Sequence, residues 1–394
     1  MPSTVSTAAA AMPDGPSSSS TRPSETAGRR LHSLTGLRFF AAAAVALMHG
    51  LALYRLPVID LGFVGVSFFF VLSGFVLTWA GAAENGAGAF LRNRIAKLFP
   101  LSAATLAIAA LVPVAQNSSA VSFLQSLTLT QAWWPWSASS FNPVAWSLSA
   151  EAFFYLLLPP FVAVMRRFST KELVGTIVFL AVLQPALGVA CQLTLGAQVS
   201  HFITYNLPLY RLPEFVIGVA LALLLKAGYA PPNRTQLSAA AFTTAGATLT
   251  FLADFLHFVP WWISQALMLP AIIVLIWTAA RRELAGSSRL LTSHALVRLG
   301  ELSFAFYMVH YLVLGAFGIL VGRWAQGLPW WLVPPALLCA AAVAWVAQRY
   351  IEKPCERAVR DMFRTRTGQQ HGAAKSAMPA AAVERVLPAL SQTP

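Results

Sequence analysis

Residues 34–54 read LTGLRFFAAAAVALMHGLALY, an apolar run broken by only two ionisable side chains, Arg38 and His49. It has the roughly 20 residues that a helix needs to cross a bilayer. Backbone N–H and C=O groups find no water in hydrocarbon, so a run of this kind spans as a helix. Moving outward along the chain, similar runs follow at about 61–80, 98–116, 144–165, 173–195, 207–227, 237–255, 260–279, 300–321 and 330–350. The expected fold is an all-α integral membrane bundle of about ten transmembrane helices. Residues 1–30 and 361–394 lack such runs and are expected to be polar cytoplasmic tails flanking a membrane domain at 31–360. The longest connection, 117–143, carries Trp133, Trp134 and Trp136 and suits a re-entrant or interfacial segment with an aromatic anchor.

Composition supports this assignment, since 57% of the 394 residues are hydrophobic and 10% are charged, against roughly a quarter charged in soluble domains. A net charge of +13 would suit a nucleic-acid binder, but here the cations punctuate apolar runs instead of covering a polar surface. No nucleic-acid partner is expected; the lipid bilayer is. All but four of the 27 Lys and Arg fall in the tails or in connections on one side of the alternating spans. Arg55 and Arg323 are on the other side, and Arg38 and Arg211 lie inside spans. By the positive-inside tendency both termini are cytoplasmic. Cys191, Cys339 and Cys355 are widely spaced, with no CxxC and no His at zinc-like spacing, so they are read as packing residues and no metal is expected. Nucleophile-elbow, zinc-protease, P-loop and dinucleotide-binding motifs are missing from the sequence.

An ionisable residue inside a span costs a few kcal/mol and is by default functional. Those residues are Arg38, His49, Glu151, Arg211, Glu214, Asp254 and His310. Arg38 and His49 are eleven residues apart, close to three full turns, so they share one helical stripe and stand about 16 Å apart along it. His49 falls toward the outer leaflet. Glu151, counted from a span starting near 144, is expected about 10 Å below the outer surface, where it could pair with His49 and orient its ring. The competing reading of each is structural: a packing histidine, or a helix-to-helix hydrogen bond. Arg211 and Glu214, one turn apart, read either as a local ion pair or as a site, His310 sits near mid-membrane, and Asp254 is read as solvated. Just before the third span, Arg92, Arg94 and Lys97 serve either as a lipid-headgroup anchor or, with Arg38, as a phosphate-binding edge. The second option suggests a phosphate-bearing donor inside and an acceptor outside.

Seven segments in order resemble the acyltransferase 3 family of bacterial integral-membrane O-acyltransferases, the group of O-antigen and exopolysaccharide O-acetylases and macrolide-sugar acylases. They are Leu34-Thr35-Gly36-Leu37-Arg38 through His49; Gly65 to Phe75; Arg94 to Pro100; Trp146-Ser147-Leu148-Ser149-Ala150-Glu151; Arg211-Leu212-Pro213-Glu214; Leu299-Gly300 to His310; and Tyr350-Ile351-Glu352-Lys353-Pro354. The resemblance covers about residues 31–360. It implies transfer of an acyl group, acetyl first among them, from cytoplasmic acyl-coenzyme A to a hydroxyl of a carbohydrate or glycolipid acceptor at the bacterial inner membrane. Acyl-coenzyme A is then a donor substrate, and no tightly bound cofactor is implied. On this chain it assigns His49 as general base or acyl carrier with Glu151 beside it, and Arg38, Arg92, Arg94 and Lys97 as the coenzyme A phosphate site. Trp146, Arg211 and His310 are assigned to the acceptor. Two departures concern the donor edge: Lys97 stands where the family has a second arginine, losing a bidentate fork, and Leu98-Phe99 stands for Ile-Tyr. A transporter or flippase of a lipid-linked sugar is the rival reading, in which the same residues form a proton or ion path.

Overall fold

A computed structural model describes residues 30–54, 56, 61–84, 86–111, 119–231, 246, 261–323, 327–359 and 361. Among these residues there is no strand. The helices are α1 (His32–Leu51), α2 (Val64–Trp79), α3 (Ala87–Leu111), α4 (Ala120–Leu127), α5 (Trp146–Met165), α6 (Thr170–Thr194), α7 (Ala197–Tyr205), α8 (Pro208–Lys226), α9 (Trp261–Leu284), α10 (His294–Leu320) and α11 (Val333–Ala347). Eight helical stretches of the described residues are long and apolar enough to span a membrane, and α2, at 16 residues, is a shorter apolar helix. The chain is an all-helical integral membrane protein. The expected span at 237–255, with Asp254, lies outside the described residues apart from Gly246, as do most of both tails.

The short α2 is the centre of the bundle, lying against α8, α1, α9 and α5. It is buried almost from end to end, from Val64 to Trp79. Lipid tails are as apolar as leucine, so helices in a membrane associate through close packing, and small residues set how near two backbones come. Gly74 and Gly218 perform that task between α2 and α8. A Cβ on Gly74 would overlap the Phe215 carbonyl oxygen, and one on Gly218 would overlap that of Val71. Between α1 and α10 the same role falls to Gly300, whose Cβ would overlap the Thr35 carbonyl oxygen. These glycines place Arg38 and His49 on α1 against the His310 face of α10.

Helix ends are tied in by named side chains. The first N–H groups of α1, which have no intrahelical acceptor, donate from His32 and Ser33 to the Glu283 carboxylate at 2.8 and 2.7 Å. α6 opens on a capping box between Ser169 and Glu172. After α11, residues Gln348–Glu352 form one π turn. Pro354, two residues on, has no N–H to give the Tyr350 carbonyl, which favours a widened turn there. The turn buries Glu352 to 1% exposure and aims it inward.

One expectation is corrected. α3 begins at Ala87, well before the hydropathy boundary near 98, so Arg92, Arg94 and Lys97 are part of the spanning helix instead of preceding it. Hydropathy alone misses this because the cations lower the average without interrupting the helix. The connection before α5 folds into the bundle: Ala132 and Ser137 are fully buried, and the Asn142 side chain donates to the Met308 carbonyl at 2.9 Å. Trp134 and Trp136 stay exposed at its rim.

The glycine contacts make a direct prediction. Gly300→Val is expected to abolish the monodisperse peak of detergent-extracted protein in size-exclusion chromatography, because neither backbone can withdraw. Gly88→Ala, where an added Cβ meets nothing within 4 Å, is expected to leave that peak unchanged.

Candidate active site

The phase of α3 decides which cations face inward. Arg94 and Lys97 are three residues apart and share a face, whereas Arg92 is about 200° around the helix from Arg94. Accordingly Arg94 and Lys97, but not Arg92, line a cavity with Arg38, Glu151, Tyr155 and Phe304. An adjoining cavity shares Arg38, Glu151 and Phe304 and continues to Ser147, Ser303 and Tyr307. Helices α1, α2, α3, α5 and α10 therefore all contribute to one polar hollow inside the bundle.

Within the hollow the cations differ in how fully they are engaged. Lys97 is ion-paired to the buried Glu352 and lies 5.7 Å from the Phe304 ring centroid. The buried Nε atoms of Arg38 and Arg94 have no hydrogen-bond acceptor among the described residues. Arg94 packs its guanidinium over Phe90 at 5.9 Å. Glu151 accepts a hydrogen bond from Tyr155 at 3.0 Å and is within electrostatic reach of Arg38 and Arg94. A buried guanidinium without its full set of acceptors is costly, and an anionic ligand would supply them.

Glu151 and His49 are not partners. Residue 144 is not the outer boundary of the span: the buried stretch before α5 puts its first turn inside the bundle, and Glu151 lines the cavity with Arg38 instead. His49 pairs with His310: Nδ1 of the first lies 3.0 Å from Nε2 of the second. His310 is fully buried, and its Nδ1 lies 3.3 Å from the Phe306 carbonyl oxygen, so both of its ring nitrogens are engaged within the protein. Tyr311 meets the His49 ring edge-on at 5.3 Å. Sequence reasoning had the histidines but not their contact, since 261 residues separate them.

Arg211 and Trp146, assigned to the acceptor, lie in a saturated network. Arg211 gives Nε to Glu214 at 3.2 Å, one terminal nitrogen to Gln265 at 3.1 Å and the other to Ser67 at 3.0 Å. Its guanidinium is flanked by Phe70 and Trp146, at 5.2 and 5.7 Å. Glu214 is also held by Gln184 and Gln265. This cluster clamps α8 to α2, α6 and α9 with all three nitrogens of Arg211 engaged, which is the local ion-pair reading extended to three neighbouring helices. Residues missed from sequence are Tyr155, one turn after Glu151, and Tyr307, one turn before His310. Tyr307 donates to the Val144 carbonyl and meets Ser147 Oγ at 3.0 Å. Helical spacing from a known polar residue was the available signal for both.

A multi-helix membrane bundle enclosing arginines, a carboxylate and an imidazole pair suits group transfer or an ion path, and the relatives of the chain separate the two. The model of an acyltransferase domain matches residues 31–349, and the chain belongs to the acyltransferase 3 family. It is 32% identical over 367 residues to the acyltransferase MdmB of Streptomyces mycarofaciens, an alignment covering 83% of this chain and 92% of that protein. No solved structure matches the chain significantly. The protein is an enzyme that transfers acyl groups, and the enzyme reading displaces the transporter.

The saturated network makes its own prediction. Arg211→Met strands a buried carboxylate and is expected to lower stability by about 3–5 kcal/mol. Arg211→Met/Glu214→Gln is expected to recover part of that loss, read as the thermal midpoint of the detergent-solubilised protein.

Proposed function

We propose that this acyltransferase moves an acyl group, acetyl first among them, from cytoplasmic acyl-coenzyme A to a hydroxyl of a cell-envelope or secreted carbohydrate. In this reading the domain has ten spans with both termini in the cytoplasm, in the inner membrane of a bacterium. The carrying observation is the hollow in which Arg38, on the same helix stripe as His49, and Arg94, from α3, present incompletely paired guanidinium groups. Positive charge concentrated at one end of a bundle interior suits the phosphates of a coenzyme A donor. Lys97 belongs to the same edge, held in place by Glu352. Arg92 contributes from outside the cavity wall, as an anchor to anionic headgroups.

The distance from Arg38 to His49 is about 16 Å along α1, a gap that an extended pantetheine arm bridges. The thioester would then reach the half-buried His49. An alcohol near its ordinary pKa is a poor nucleophile, so a base must take its proton as the C–O bond forms. His49 takes that proton while the acceptor oxygen attacks the thioester carbonyl, the C–S bond breaks, and the thiol leaves carrying the proton returned by the imidazole. Glu151 and Tyr155 sit closer to the arginines and hold the donor channel. The acceptor approaches the other edge of His49, among the aromatic rings of the outer half of the bundle.

Purified protein in lipid is expected to release free thiol from acetyl-coenzyme A when a carbohydrate acceptor is present. His49→Ala is expected to lower that rate by about 10²–10⁴-fold, the usual worth of a positioned base. Arg38→Ala and Arg94→Ala are expected to raise KM for acyl-coenzyme A, and to do so less for a donor lacking the 3′-phosphate if either arginine binds that group. A wild-type protein that neither binds nor cleaves any acyl-coenzyme A would end this reading.

A further inference from the structure

We propose that His310 is a positioning residue that fixes the tautomer of His49, keeping a proton on Nδ1 and leaving Nε2 as the basic nitrogen. The chemical use of that nitrogen rests on the function proposed above, but the tautomer itself does not.

The tautomer is set from a backbone oxygen outward. The Phe306 carbonyl can only accept, so the His310 Nδ1 that faces it carries a hydrogen. A neutral imidazole has one ring hydrogen, and His310 Nε2 is therefore a lone pair. That lone pair faces His49 Nδ1 at 3.0 Å, which makes His49 Nδ1 the donor. The two ring planes are 17° apart with centroids separated by 5.3 Å. With nitrogens this close, such a separation describes two rings joined edge to edge in nearly one plane, as a linear N–H···N bond requires, and not a face-to-face stack. Glu151 bonds Tyr155 in the arginine cavity, and the dyad is oriented by an imidazole and a peptide carbonyl.

Burial makes the dyad directional. His310 is fully buried on α10, while His49 keeps partial exposure, so the nitrogen available to a substrate belongs to His49. Free imidazole side chains favour the hydrogen on Nε2, and that form would turn a donor toward the substrate hydroxyl where a base is needed. The chain Phe306 carbonyl, His310, His49 reverses the preference. In the reaction, His49 Nε2 takes the hydroxyl proton and returns it to the departing sulfur, while the Nδ1 proton stays on the bond to His310.

The test uses full-length protein in lipid nanodiscs with ring-¹⁵N histidine, resonances being assigned by His49→Ala. Long-range ¹H–¹⁵N correlations are expected to show His49 as the Nδ1–H form in wild type and as the Nε2–H form in His310→Ala. His310→Ala is also expected to lower kcat by at least about 10²-fold with KM for acyl-coenzyme A within about twofold of wild type. His310→Gln, whose side-chain oxygen can accept from Nδ1–H, is expected to keep the Nδ1–H form and to regain at least about tenfold in kcat over the alanine variant. Wild-type His49 found as Nε2–H overturns the proposal, even if both variants fail to fold. An unchanged tautomer and kcat in a folded His310→Ala also overturn it. A wild type that holds Nδ1–H but turns over no acyl-coenzyme A keeps this inference and removes the function proposed above.

Discussion

Inside a bilayer a polar side chain must find its partner in the protein, because lipid offers none. That constraint separates the two arginine sites of this molecule. Arg211 is surrounded by Glu214, Gln265 and Ser67, and its partner Glu214 is held in turn by Gln184 and Gln265. Every charge there is spent on structure. Arg38 and Arg94 sit in the same bundle with buried Nε atoms that no described acceptor meets, facing a cavity instead of a packed wall. The unmet need faces the cavity, and that is what sets these two arginines apart from an internal clamp built of the same residue type.

Holding such a hollow open against lipid pressure demands that the helices around it be fixed elsewhere. The two glycine crossings do this, at Gly74 with Gly218 and at Gly300 with the backbone of Thr35. Each lets two backbones touch, so each tolerates almost no sliding. Gly300 lies ten residues before His310 on α10, and Thr35 three before Arg38 on α1. The crossing thus sets the register that brings His310 against His49 farther along the same pair. The π turn at Gln348–Glu352 adds a second point of control, since without its extra width Glu352 would not face Lys97.

How much of this the sequence carried depends on whether a feature is local. Span existence was legible because hydropathy over about 20 residues is a local sum, and the Arg211–Glu214 pair was legible because three residues make one helical turn. The stripe shared by Arg38 and His49 was legible for the same reason. Depth was not. Glu151 was placed beside His49 by counting from a hydropathy edge, and the edge was false because the polar, Trp-containing stretch before it is packed inside the protein. Pairing across the chain was not legible either: nothing in the residues around His310 names His49 as its neighbour, and Lys97 with Glu352 are farther apart in sequence than any local rule reaches.

In the proposed reaction the two ends of the site divide the chemistry in a way that follows from charge. Guanidinium groups near an imidazole disfavour its protonated form, so a base placed among Arg38 and Arg94 would be a poor one for a step that creates an imidazolium. Separating the base from the cations by three turns of α1 weakens that repulsion, and giving it a neutral imidazole as partner keeps a hydrogen-bond acceptor beside it without burying a second charge. The cost is distance: the donor must be long enough to be held at one end and react at the other. A flexible arm between phosphates and thioester meets that requirement. On the function proposed, the spacing of Arg38 and His49 is matched less to any one acyl group than to the reach of its carrier.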